Sequence, residues 1–543
     1  MNTDRNTRPP SFLRCSAAIA VSAFTGISFA ATGPVSNCVV SVMQGYVPAG
    51  TTISSATVVA ATATVPQYCS VAGSTTTVNN SIAWAIGLPT AWNDKIYWGA
   101  QGGFAGGAPA VPIVFPVVPG VPGQVALGYV TGITDTGHRQ VGTDGSWALN
   151  SPDKVIDFGH RAIHTSVDVG KALVAGYYQS PIKRSIMASC SNGGRATMME
   201  SQRYPKDFDG YIITAPAFDW GGQVVLDFYH GSSSFFAKPG SWLPPDKAKV
   251  LADAYLAACD ASDGVVDGIV ANPPSCKFDP RTIQCTSVSD GPACLTKDQT
   301  DAVVRFTSDL KNKFGDVVSP GWGLSGDEGN AAGIPAWKTG TTAPPVDTNG
   351  VPNPPSTQAA GHGFMVGTLT GIVFNSANYD WRKLDVDNDQ NFLEQTQGSL
   401  SAVDTNLMPT VSRGAKLLIF HGWSDQALNP LRTIAYWDAE VARYGKPKVD
   451  SFLRLFMVPG MQHCGGGTIA TSTYDALAAM ERWLDTGVAP DRIEAAHLES
   501  GVVTRTRPLC AHPNVARYKP PARAAATFNI NDSFYFGCAV PGN

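Results

Sequence analysis

The sequence predicts an α/β protein with a mostly parallel sheet, helices on both faces and a large inserted domain. Two observations support this prediction. Short apolar, β-rich runs alternate with helical patterns in two separated parts of the chain, an order typical of parallel sheets. Between them, strand signals are few, and Pro, Asp and Cys are frequent. The 543 residues therefore divide into a core in two parts, 31–214 and 405–543, and an inserted domain, 215–404.

The composition indicates a large globular protein rich in loops. Hydrophobic residues make up 43% of the chain and charged residues only 15%, with 55 Gly and 39 Pro, which excludes a disordered polymer or a coiled coil. An apolar Pro/Gly run at 106–123 fits a surface insertion better than a lid. The formal net charge is −4, and no block of Lys or Arg stands out. Nucleic acids and anionic membrane surfaces are therefore not expected partners.

The first 30 residues have the pattern of a cleaved secretory signal. Three arginines precede an apolar stretch from Cys15 to Ala30, which ends in Ser28-Phe29-Ala30. A disordered N-terminus or a membrane anchor is the alternative, but the stretch is shorter than the ~20 residues of a spanning helix. Cleavage leaves ten of the 11 cysteines. That even number favours five disulfides in a secreted or periplasmic protein that makes no membrane contact.

The core elements follow in chain order. The predicted strands are Ile96–Trp98, Tyr129–Thr131, Ser185–Met187, Lys416–Phe420 and Phe452–Phe456. The predicted helices are 160–178, 194–203, 430–444 and 473–486. Because helices alternate with the strands, we expect these strands to run mostly parallel.

Residues 185–195, Ser-Ile-Met-Ala-Ser-Cys-Ser-Asn-Gly-Gly-Arg, have the pattern of a nucleophile at a strand-to-helix turn. Such a turn holds its serine, here Ser191, at a strained backbone position and needs small residues two before and two after it. Ser189 and Gly193 meet this need, although Ser189 replaces the usual glycine. The alternatives are a structural turn or a phosphate-binding loop, but a phosphate loop requires a Lys that this segment lacks.

Two later loops supply candidate partners for Ser191. Asp425 follows the predicted strand 416–420, and His463 follows the strand that begins at residue 452. Serine, acid and histidine come in this chain order on an α/β-hydrolase sheet. Taken singly, Asp425 fits an ordinary turn aspartate and His463 a solvated loop histidine, but together they predict a triad. The other histidines, His421 among them, are predicted to be structural.

Two cysteines adjoin the predicted triad. Cys190 precedes Ser191, and Cys464 follows His463. Catalysis requires the serine oxygen and the histidine nitrogen within about 3 Å, which brings the neighbouring residues near the ~5.5–6 Å Cα separation of a disulfide. The triad hypothesis therefore predicts a Cys190–Cys464 bridge, which would hold the base beside the nucleophile.

An acyl-transfer site also needs two backbone N–H donors for the developing oxyanion. One comes from the residue after the nucleophile, here Asn192. The second is expected from the Gly-rich loop after the first predicted strand, from Gly102 or Gly103. An ordinary flexible loop is the alternative for this segment.

These motifs together resemble the tannase and feruloyl esterase family of secreted α/β-hydrolases. The paired Cys-Ser and His-Cys motifs are its most specific signals, and the similarity covers most of the chain after residue 30. The matching segments are Gly102-Gly103-Phe104-Ala105-Gly106, Thr134-Asp135-Thr136-Gly137-His138, Asp157-Phe158-Gly159, Cys190-Ser191-Asn192-Gly193-Gly194-Arg195, His421-Gly422-Trp423-Ser424-Asp425 and Met461-Gln462-His463-Cys464.

The resemblance implies an α/β-hydrolase fold with a large inserted lid domain and a structural Ca²⁺ site in that lid. Asp260, Asp263 and Asp267 would supply carboxylates, and Val265 and Ile269 would supply backbone carbonyls. From the residues alone, a solvated acidic turn is the alternative, and EF-hand spacing is absent. No organic cofactor is expected. The resemblance also implies the remaining disulfide pairs, which are Cys259–Cys276, Cys285–Cys294, Cys510–Cys538 and Cys38–Cys69.

The implied activity is that of a serine carboxylesterase acting on small aromatic esters, with hydroxycinnamoyl (feruloyl-type) esters expected first. Galloyl esters, as for a tannase, and mono(2-hydroxyethyl) terephthalate are the alternatives within the family. A catalytically silent binding protein and a peptidase are the alternatives outside it. Arg382 is a surface residue or a partner for a substrate carboxylate, and Leu428 is expected to leave the acyl pocket wide. The expected aromatic wall comprises Phe364, Phe374, Tyr379 and Trp381.

Overall fold

The computed structural model describes residues 31–111, 123–140, 142–287, 291–519 and 529–541. The predicted signal segment, with Cys15, lies outside the described residues, as does most of the Pro/Gly run at 106–123. No helix within the described ranges is both long enough and apolar enough to cross a membrane.

A nine-stranded sheet forms the centre of the fold. In chain order its strands are β1 (Thr51–Val59), β2 (Tyr68–Thr77), β3 (Asn80–Pro89), β4 (Lys95–Trp98), β5 (Val130–Thr134), β6 (Arg184–Ser191), β7 (Gly210–Pro216), β8 (Lys416–Gly422) and β9 (Leu453–Val458). Across the sheet they lie in the order β9-β8-β7-β6-β4-β5-β3-β2-β1. Strands β4 to β9 run parallel, as predicted.

The longer helices agree with the four predicted ones to within three residues at each end. Helices of eight residues or more are α1 (Ala162–Tyr178), α2 (Asn192–Arg203), α3 (Phe228–Phe235), α4 (Pro245–Cys259), α5 (Lys297–Thr307), α6 (Ala360–Gly367), α7 (Gln390–Leu400), α8 (Pro430–Tyr444) and α9 (Ala476–Thr486). Shorter helices span Val40–Met43, Pro152–Ile156, Met408–Val411 and Lys446–Asp450. Wider π-type turns span Asp157–Arg161, Trp220–Asp227, Pro335–Thr339 and Thr368–Val373.

Alternate residues of the parallel strands point to opposite faces, and both faces are buried. On β8, Leu417 and Ile419 belong to the apolar cluster beneath α1, α2 and α8. Leu418 and Phe420 belong to the cluster beneath α9. The sheet is therefore covered by helices on both sides, as the alternation of strands and helices predicts.

Several strands are absent from the predictions. They are β1 to β3, which pair antiparallel at one edge of the sheet, and the hairpin of β10 (Arg492–Glu499) and β11 (Val502–Cys510). β2 contains Ala72 and Gly73 at its centre, which weaken its local strand propensity, yet it pairs with β3 over ten residues. These strands are therefore fixed by hydrogen bonds to neighbouring strands, which the local sequence does not reveal. Short strand pairs join Ala31–Thr32 to Ala91–Trp92, Leu310–Lys311 to Val317–Ser319, Thr473–Tyr474 to β10, and Val515–Tyr518 to Phe536–Ala539.

Residues 217–415, here called the insertion, connect β7 to β8 and contain α3 to α7. They form a separate apolar cluster that also includes Phe104, Trp147 and Phe158 from the core. The insertion thus packs on loops beside the sheet. The domain boundaries 215 and 404 stay a prediction.

The ten described cysteines form five disulfides. The pairs are Cys38–Cys69, Cys190–Cys464, Cys259–Cys276, Cys285–Cys294 and Cys510–Cys538. These are the predicted pairs, and the count of five agrees with the even number of cysteines after residue 30.

Candidate active site

Ser191 lies at the sharp turn where β6 ends and α2 begins. Its φ of 62° and ψ of −128° are values that residues other than glycine rarely adopt. The chain is crowded there, because a Cβ on Gly193 would lie 2.8 Å from Ser189 Cβ and 2.5 Å from the Ala100 oxygen. The requirement for small residues around the serine is therefore met by direct contact, as the strand-to-helix pattern predicts.

Ser189, the departure from the usual glycine, has a specific contact. Its Oγ accepts a hydrogen bond from the Ala100 backbone N–H at 2.7 Å and donates one to the Ala188 carbonyl at 2.5 Å. Ala100 is the second residue after β4 and leads directly into Gln101-Gly102-Gly103. The Ser189 hydroxyl therefore fixes the start of the predicted oxyanion loop to the strand that carries Ser191.

The oxyanion loop is also held from the other side of Ser191. Asn192 Nδ2 donates to the Gln101 carbonyl at 3.0 Å, and Asn192 Oδ1 accepts from Arg195 Nε at 2.8 Å. A Cβ on Gly102 would lie 3.9 Å from Ser191 Cβ, and Gly103, with φ of 60°, lines the same pocket as Ser191. The structure brings all three predicted oxyanion residues beside Ser191.

Arg195 is fully buried, and nothing in its sequence position identified a role for it. Its guanidinium donates to the carbonyls of Phe158, Gly159 and Leu400 and lies 5.5 Å from the Trp220 ring centroid. Burial lowers the pKa of Arg195 to about 9. Arg195 thus connects α2 to the insertion directly, and to the oxyanion loop through Asn192.

Asp425 and His463 are in direct contact. His463 Nδ1 donates to Asp425 Oδ2 at 2.8 Å, and Asp425 Oδ1 accepts from the backbone N–H groups of Ala427 and Leu428 at 2.8 and 3.0 Å. Burial alone would raise the pKa of Asp425, but His463 and His421 outweigh burial and hold that pKa well below its usual value. The carboxylate is thus ionised and able to orient His463.

His421, predicted to be merely structural, is the second side chain on this carboxylate. Its Nε2 lies 3.2 Å from Asp425 Oδ2 and 3.1 Å from the Leu428 carbonyl, while Nδ1 lies 2.8 Å from Thr433 Oγ1. The ring is fully buried. Its position four residues before Asp425, at the end of β8, is the sequence signal that could have identified it.

The Cys190–Cys464 disulfide, with a Cα separation of 5.8 Å, connects the nucleophile turn to the His463 loop. Ser191 and His463 line one pocket, and the edge of the Trp337 ring packs against His463 with centroids 4.9 Å apart. Among the described residues, the hydrogen bonds do not include one between Ser191 Oγ and the His463 ring. Such contacts commonly tighten only when substrate binds.

The pocket beside Ser191 is almost entirely apolar. Its lining comprises Gly103, Ser191, Asn192, Ala217, Trp220, Val224, Phe228, Trp337, Phe364, Ala427, Leu428 and His463. Its cavity volume in this conformation is about 30 Å³. The rings of Trp220, Phe228, Trp337 and Phe364 dominate that wall.

The prediction of the aromatic wall is wrong for three of its four residues. Of its four members only Phe364 lines the pocket. Phe374 stacks on Tyr379 with centroids 4.0 Å apart, and Trp381 packs against His362 and Tyr229. Trp220, Phe228 and Trp337 were not identified, because Trp220 and Phe228 lie more than a hundred positions before Trp337 and no local pattern joins them.

Arg382 and Leu428 are the two other residues considered for specificity. Arg382 is exposed and pairs with Asp380 at 2.9 Å, as expected for a surface arginine. Leu428 lines the pocket directly after Ala427, in the loop that carries Asp425. Of these two residues, only Leu428 is therefore in a position to contact an acyl group.

The acidic loop of the insertion gathers the three predicted calcium-binding aspartates. Asp260 Oδ2 accepts from the Gly268 N–H at 2.8 Å, and Asp263 Oδ1 accepts from the Val265 N–H at 3.2 Å. Asp267 pairs with Arg507. Burial, with repulsion from Asp267 and Asp260, raises the pKa of Asp263 to about 6.

The donors in this loop fit calcium in type and charge, but the carboxylates are not yet arranged as ligands of one ion. The loop is not one of the two groups of described residues that bring three ligand atoms within 4.8 Å of one another. Asp267 is turned toward Arg507, with Arg505 also 3.8 Å away. Calcium would therefore compete with this ion pair for Asp267.

This chain is similar to known proteins along most of its length. The mono(2-hydroxyethyl) terephthalate hydrolase of Piscinibacter sakaiensis is 29% identical over 554 residues, covering 89% of this chain and 86% of that protein. The probable feruloyl esterase B-2 of Aspergillus terreus is 28% identical over 526 residues, covering 91% of each chain.

The crystal structure of feruloyl esterase B from Aspergillus oryzae superposes with a TM-score of 0.78 at 23% identity, covering 93% of this chain and 100% of that one. At this identity the likeness shows the fold, which is that of an α/β-hydrolase. The family described as "Tannase and feruloyl esterase" matches residues 69–531. The chain therefore belongs to the tannase and feruloyl esterase family and is a carboxylic ester hydrolase.

Proposed function

We propose that this protein is a serine esterase in which Ser191, His463 and Asp425 form the catalytic triad. His463 removes the Ser191 proton, and Ser191 attacks the ester carbonyl. The N–H groups of Asn192 and of Gly102 or Gly103 stabilise the oxyanion. His463 then protonates the leaving alcohol, and water hydrolyses the acyl-enzyme by the same route.

One observation carries this proposal. Ser191 has the strained backbone of a nucleophile turn and shares a pocket with the His463–Asp425 pair, to which the Cys190–Cys464 disulfide connects it. A catalytically silent scaffold would have no reason to hold a charged Asp–His pair beside a strained serine. The fold and the family also argue against a peptidase.

The acyl group proposed first is hydroxycinnamoyl. The four aromatic rings of the wall suit a planar conjugated acid, and His463 is the only titratable side chain in the lining. The carboxylate of mono(2-hydroxyethyl) terephthalate would need a cation, and the three hydroxyls of a galloyl group would need hydrogen-bond partners. These two substrates, suggested by the name of one relative and by the name of the family, are therefore the second candidates.

Initial rates on methyl ferulate, methyl gallate and mono(2-hydroxyethyl) terephthalate test the proposed substrate class. We expect the highest kcat/KM on methyl ferulate, with Ser191→Ala as the blank. A fluorophosphonate probe should label wild-type protein once and leave Ser191→Ala unlabelled. Negligible rates on all three esters would exclude an aromatic substrate, and failure of the probe would exclude a serine nucleophile.

Replacing Ser189 by alanine is expected to lower kcat about tenfold and leave KM nearly unchanged. Loss of its bond to the Ala100 N–H loosens the loop that supplies an oxyanion donor, and a lost donor costs roughly 10²–10³ in kcat. Ser201→Ala is the matched control, because its buried hydroxyl donates to the Met198 carbonyl within α2. Equal kcat for Ser189→Ala and wild type would show that the loop needs no such anchor.

We further propose that the acidic loop binds a structural calcium ion through Asp260, Asp263, Asp267 and the carbonyls of Val265 and Ile269. Three carboxylates in one loop supply hard oxygen donors. Burial first, and then repulsion from Asp267 and Asp260, raises the pKa of Asp263, and a bound cation would stabilise its ionised form. The ion would stabilise the insertion and take no part in the chemistry.

Replacing Asp263 by asparagine is expected to abolish stabilisation by calcium and to stabilise the metal-free protein. The pKa of Asp263 is raised from 3.8 to about 6 in the fold, so metal-free wild type loses stability as pH rises from about 4 to 6, and Asp263→Asn escapes this loss. The melting temperature with calcium or chelator, between pH 4 and 8, measures both effects.

Asp301→Asn, at an exposed carboxylate that pairs with Lys297, is the control for the calcium experiment. It should keep the calcium response of wild type. An equal calcium response in wild type and Asp263→Asn would place the ion elsewhere or exclude it.

We also propose export to the periplasm or the medium. The N-terminal signal pattern and five disulfides support an oxidising destination. N-terminal sequencing of the protein recovered outside the cytoplasm tests it, with cleavage expected after Ala30. Recovery of intact protein in the cytoplasm alone would contradict export.

A further inference from the structure

A second group of ionisable side chains lies at the edge of the sheet opposite Ser191. His164 projects from the first turn of α1, Glu200 from the last turn of α2, and Asp207 from the loop before β7. Glu200 is nine residues after Ser191, which corresponds to about 13 Å along a helix. The group is therefore separate from the triad.

One potential ligand atom from each of these three residues lies within 4.8 Å of the others. His164 Nδ1 is 2.6 Å from Asp207 Oδ2, and Lys171 Nζ pairs with the other oxygen of Asp207 at 2.9 Å. Asp207 is 4% exposed, whereas the His164 side chain is 33% exposed. One side of the cluster is thus open to solvent and the other is closed.

Glu200 has a carboxylate oxygen that accepts no hydrogen bond from the surrounding protein. It is 1% exposed, and its Oε2 has no hydrogen-bond partner. A buried carboxylate oxygen left without a donor is costly, and here it also faces a second carboxylate. A cation between Glu200 and Asp207 would remove both the unsatisfied oxygen and the repulsion.

We propose that His164, Glu200 and Asp207 form a binding site for a divalent transition metal of the zinc class. A ring nitrogen and carboxylate oxygens are ligand types that zinc accepts, and water would take the fourth position on the open side. A nitrogen ligand favours zinc over calcium. On binding, the metal replaces the proton that His164 Nδ1 shares with Asp207 and the proton that Glu200 and Asp207 share without metal, and both protons leave to solvent.

Neighbouring charges can support the ligands. Lys171 holds the Asp207 oxygen that is not needed for the metal, and Asp168 Oδ2 lies 3.6 Å from His164 Nε2, where it would accept the remaining ring proton. The Tyr204 ring stacks on His164 with centroids 3.9 Å apart and fixes its plane. The metal would join α1, α2 and the loop before β7, so its role would be to stabilise the core.

Zinc binding to the full-length protein tests this site. The protein is stripped with chelator, returned to saturating calcium so that the acidic loop is occupied, and equilibrated with Zn²⁺. We expect wild type to bind one more zinc per chain than Glu200→Gln, measured by equilibrium dialysis and elemental analysis. Zinc should also raise the melting temperature of wild type and not that of Glu200→Gln.

Two further variants keep the test decisive if Glu200→Gln folds poorly. His164→Gln changes a partly exposed side chain and should lose the same zinc ion. Glu499→Gln should keep it, because the exposed Glu499 lies 3.7 Å from His497 with no third potential ligand among the described residues close enough to complete a site. Equal zinc content in wild type, Glu200→Gln and His164→Gln would overturn the proposal. It would indicate that Glu200 and Asp207 share a proton and bind no metal.

Discussion

Ser191→Ala is expected to lower kcat for ester hydrolysis by roughly 10³-fold or more, with little change in KM. Without the hydroxyl no acyl-enzyme forms, and what remains is catalysis by the oxyanion donors and by substrate binding. The pocket wall lies beside the serine and does not depend on its Oγ, so the substrate should still bind. Steady-state rates on the preferred aromatic ester measure the loss.

The folded state of Ser191→Ala must be verified, because the turn is strained. Its melting temperature should equal or exceed that of wild type, since alanine removes no buried hydrogen bond described at this position. Ser201→Ala again serves as the control for loss of a serine hydroxyl in α2. Retention of more than a few per cent of wild-type kcat by a folded Ser191→Ala protein would refute Ser191 as the nucleophile.

Replacing both Cys190 and Cys464 by serine is expected to lower kcat more than tenfold and the free energy of unfolding by about 2–5 kcal/mol. The bridge spans 274 positions, and the entropy that a crosslink removes from the unfolded chain grows with the length of the loop. The larger functional effect has a different origin. Without the bridge, the His463 loop is no longer fixed beside Ser191, and small displacements at a catalytic base cost much of the rate.

Cys285→Ser with Cys294→Ser is the matched control. That bridge lies in the insertion and spans nine positions, so its removal should cost less stability and leave kcat near the wild-type value. Chemical denaturation and steady-state kinetics, both without reductant, separate the two effects. An unchanged kcat in the Cys190/Cys464 variant would show that packing, for example by Trp337, positions His463 without the disulfide.

The triad pattern could be predicted because each part of it is local. Ser191 sits in a short strand–turn–helix segment, and Asp425 and His463 each follow a strongly apolar strand. The Cys190–Cys464 pair could be predicted because the contact that the triad hypothesis requires between Ser191 and His463 would bring their chain neighbours together. The parallel part of the sheet follows from the alternation of apolar strands with amphipathic helices.

Other features depend on partners that no local pattern reveals. His421 looks like any strand-end histidine until the fold places its Nε2 beside Asp425. Ser189 looks like an imperfect glycine until Ala100 is brought against it from the neighbouring strand β4. Strand β2, with Ala72 and Gly73 at its centre, is held in place by pairing with β3, which in turn pairs with the rest of the sheet.

The sequence by itself therefore determined the fold class, the pattern that predicts the triad and the Cys190–Cys464 pair, whereas the other four cysteine pairs were implied by the family resemblance. Tertiary structure alone decided the walls of the pocket, where Trp220 and Phe228 meet Trp337 from a distant part of the insertion. It also decided the contacts of the buried Arg195, which links α2 to the insertion directly and to the oxyanion loop through Asn192. The physical reason is the distance along the sequence over which each feature is encoded. A turn or an amphipathic strand is encoded within a few residues, whereas a pocket wall is a meeting of side chains more than a hundred positions apart, fixed only when the whole core packs.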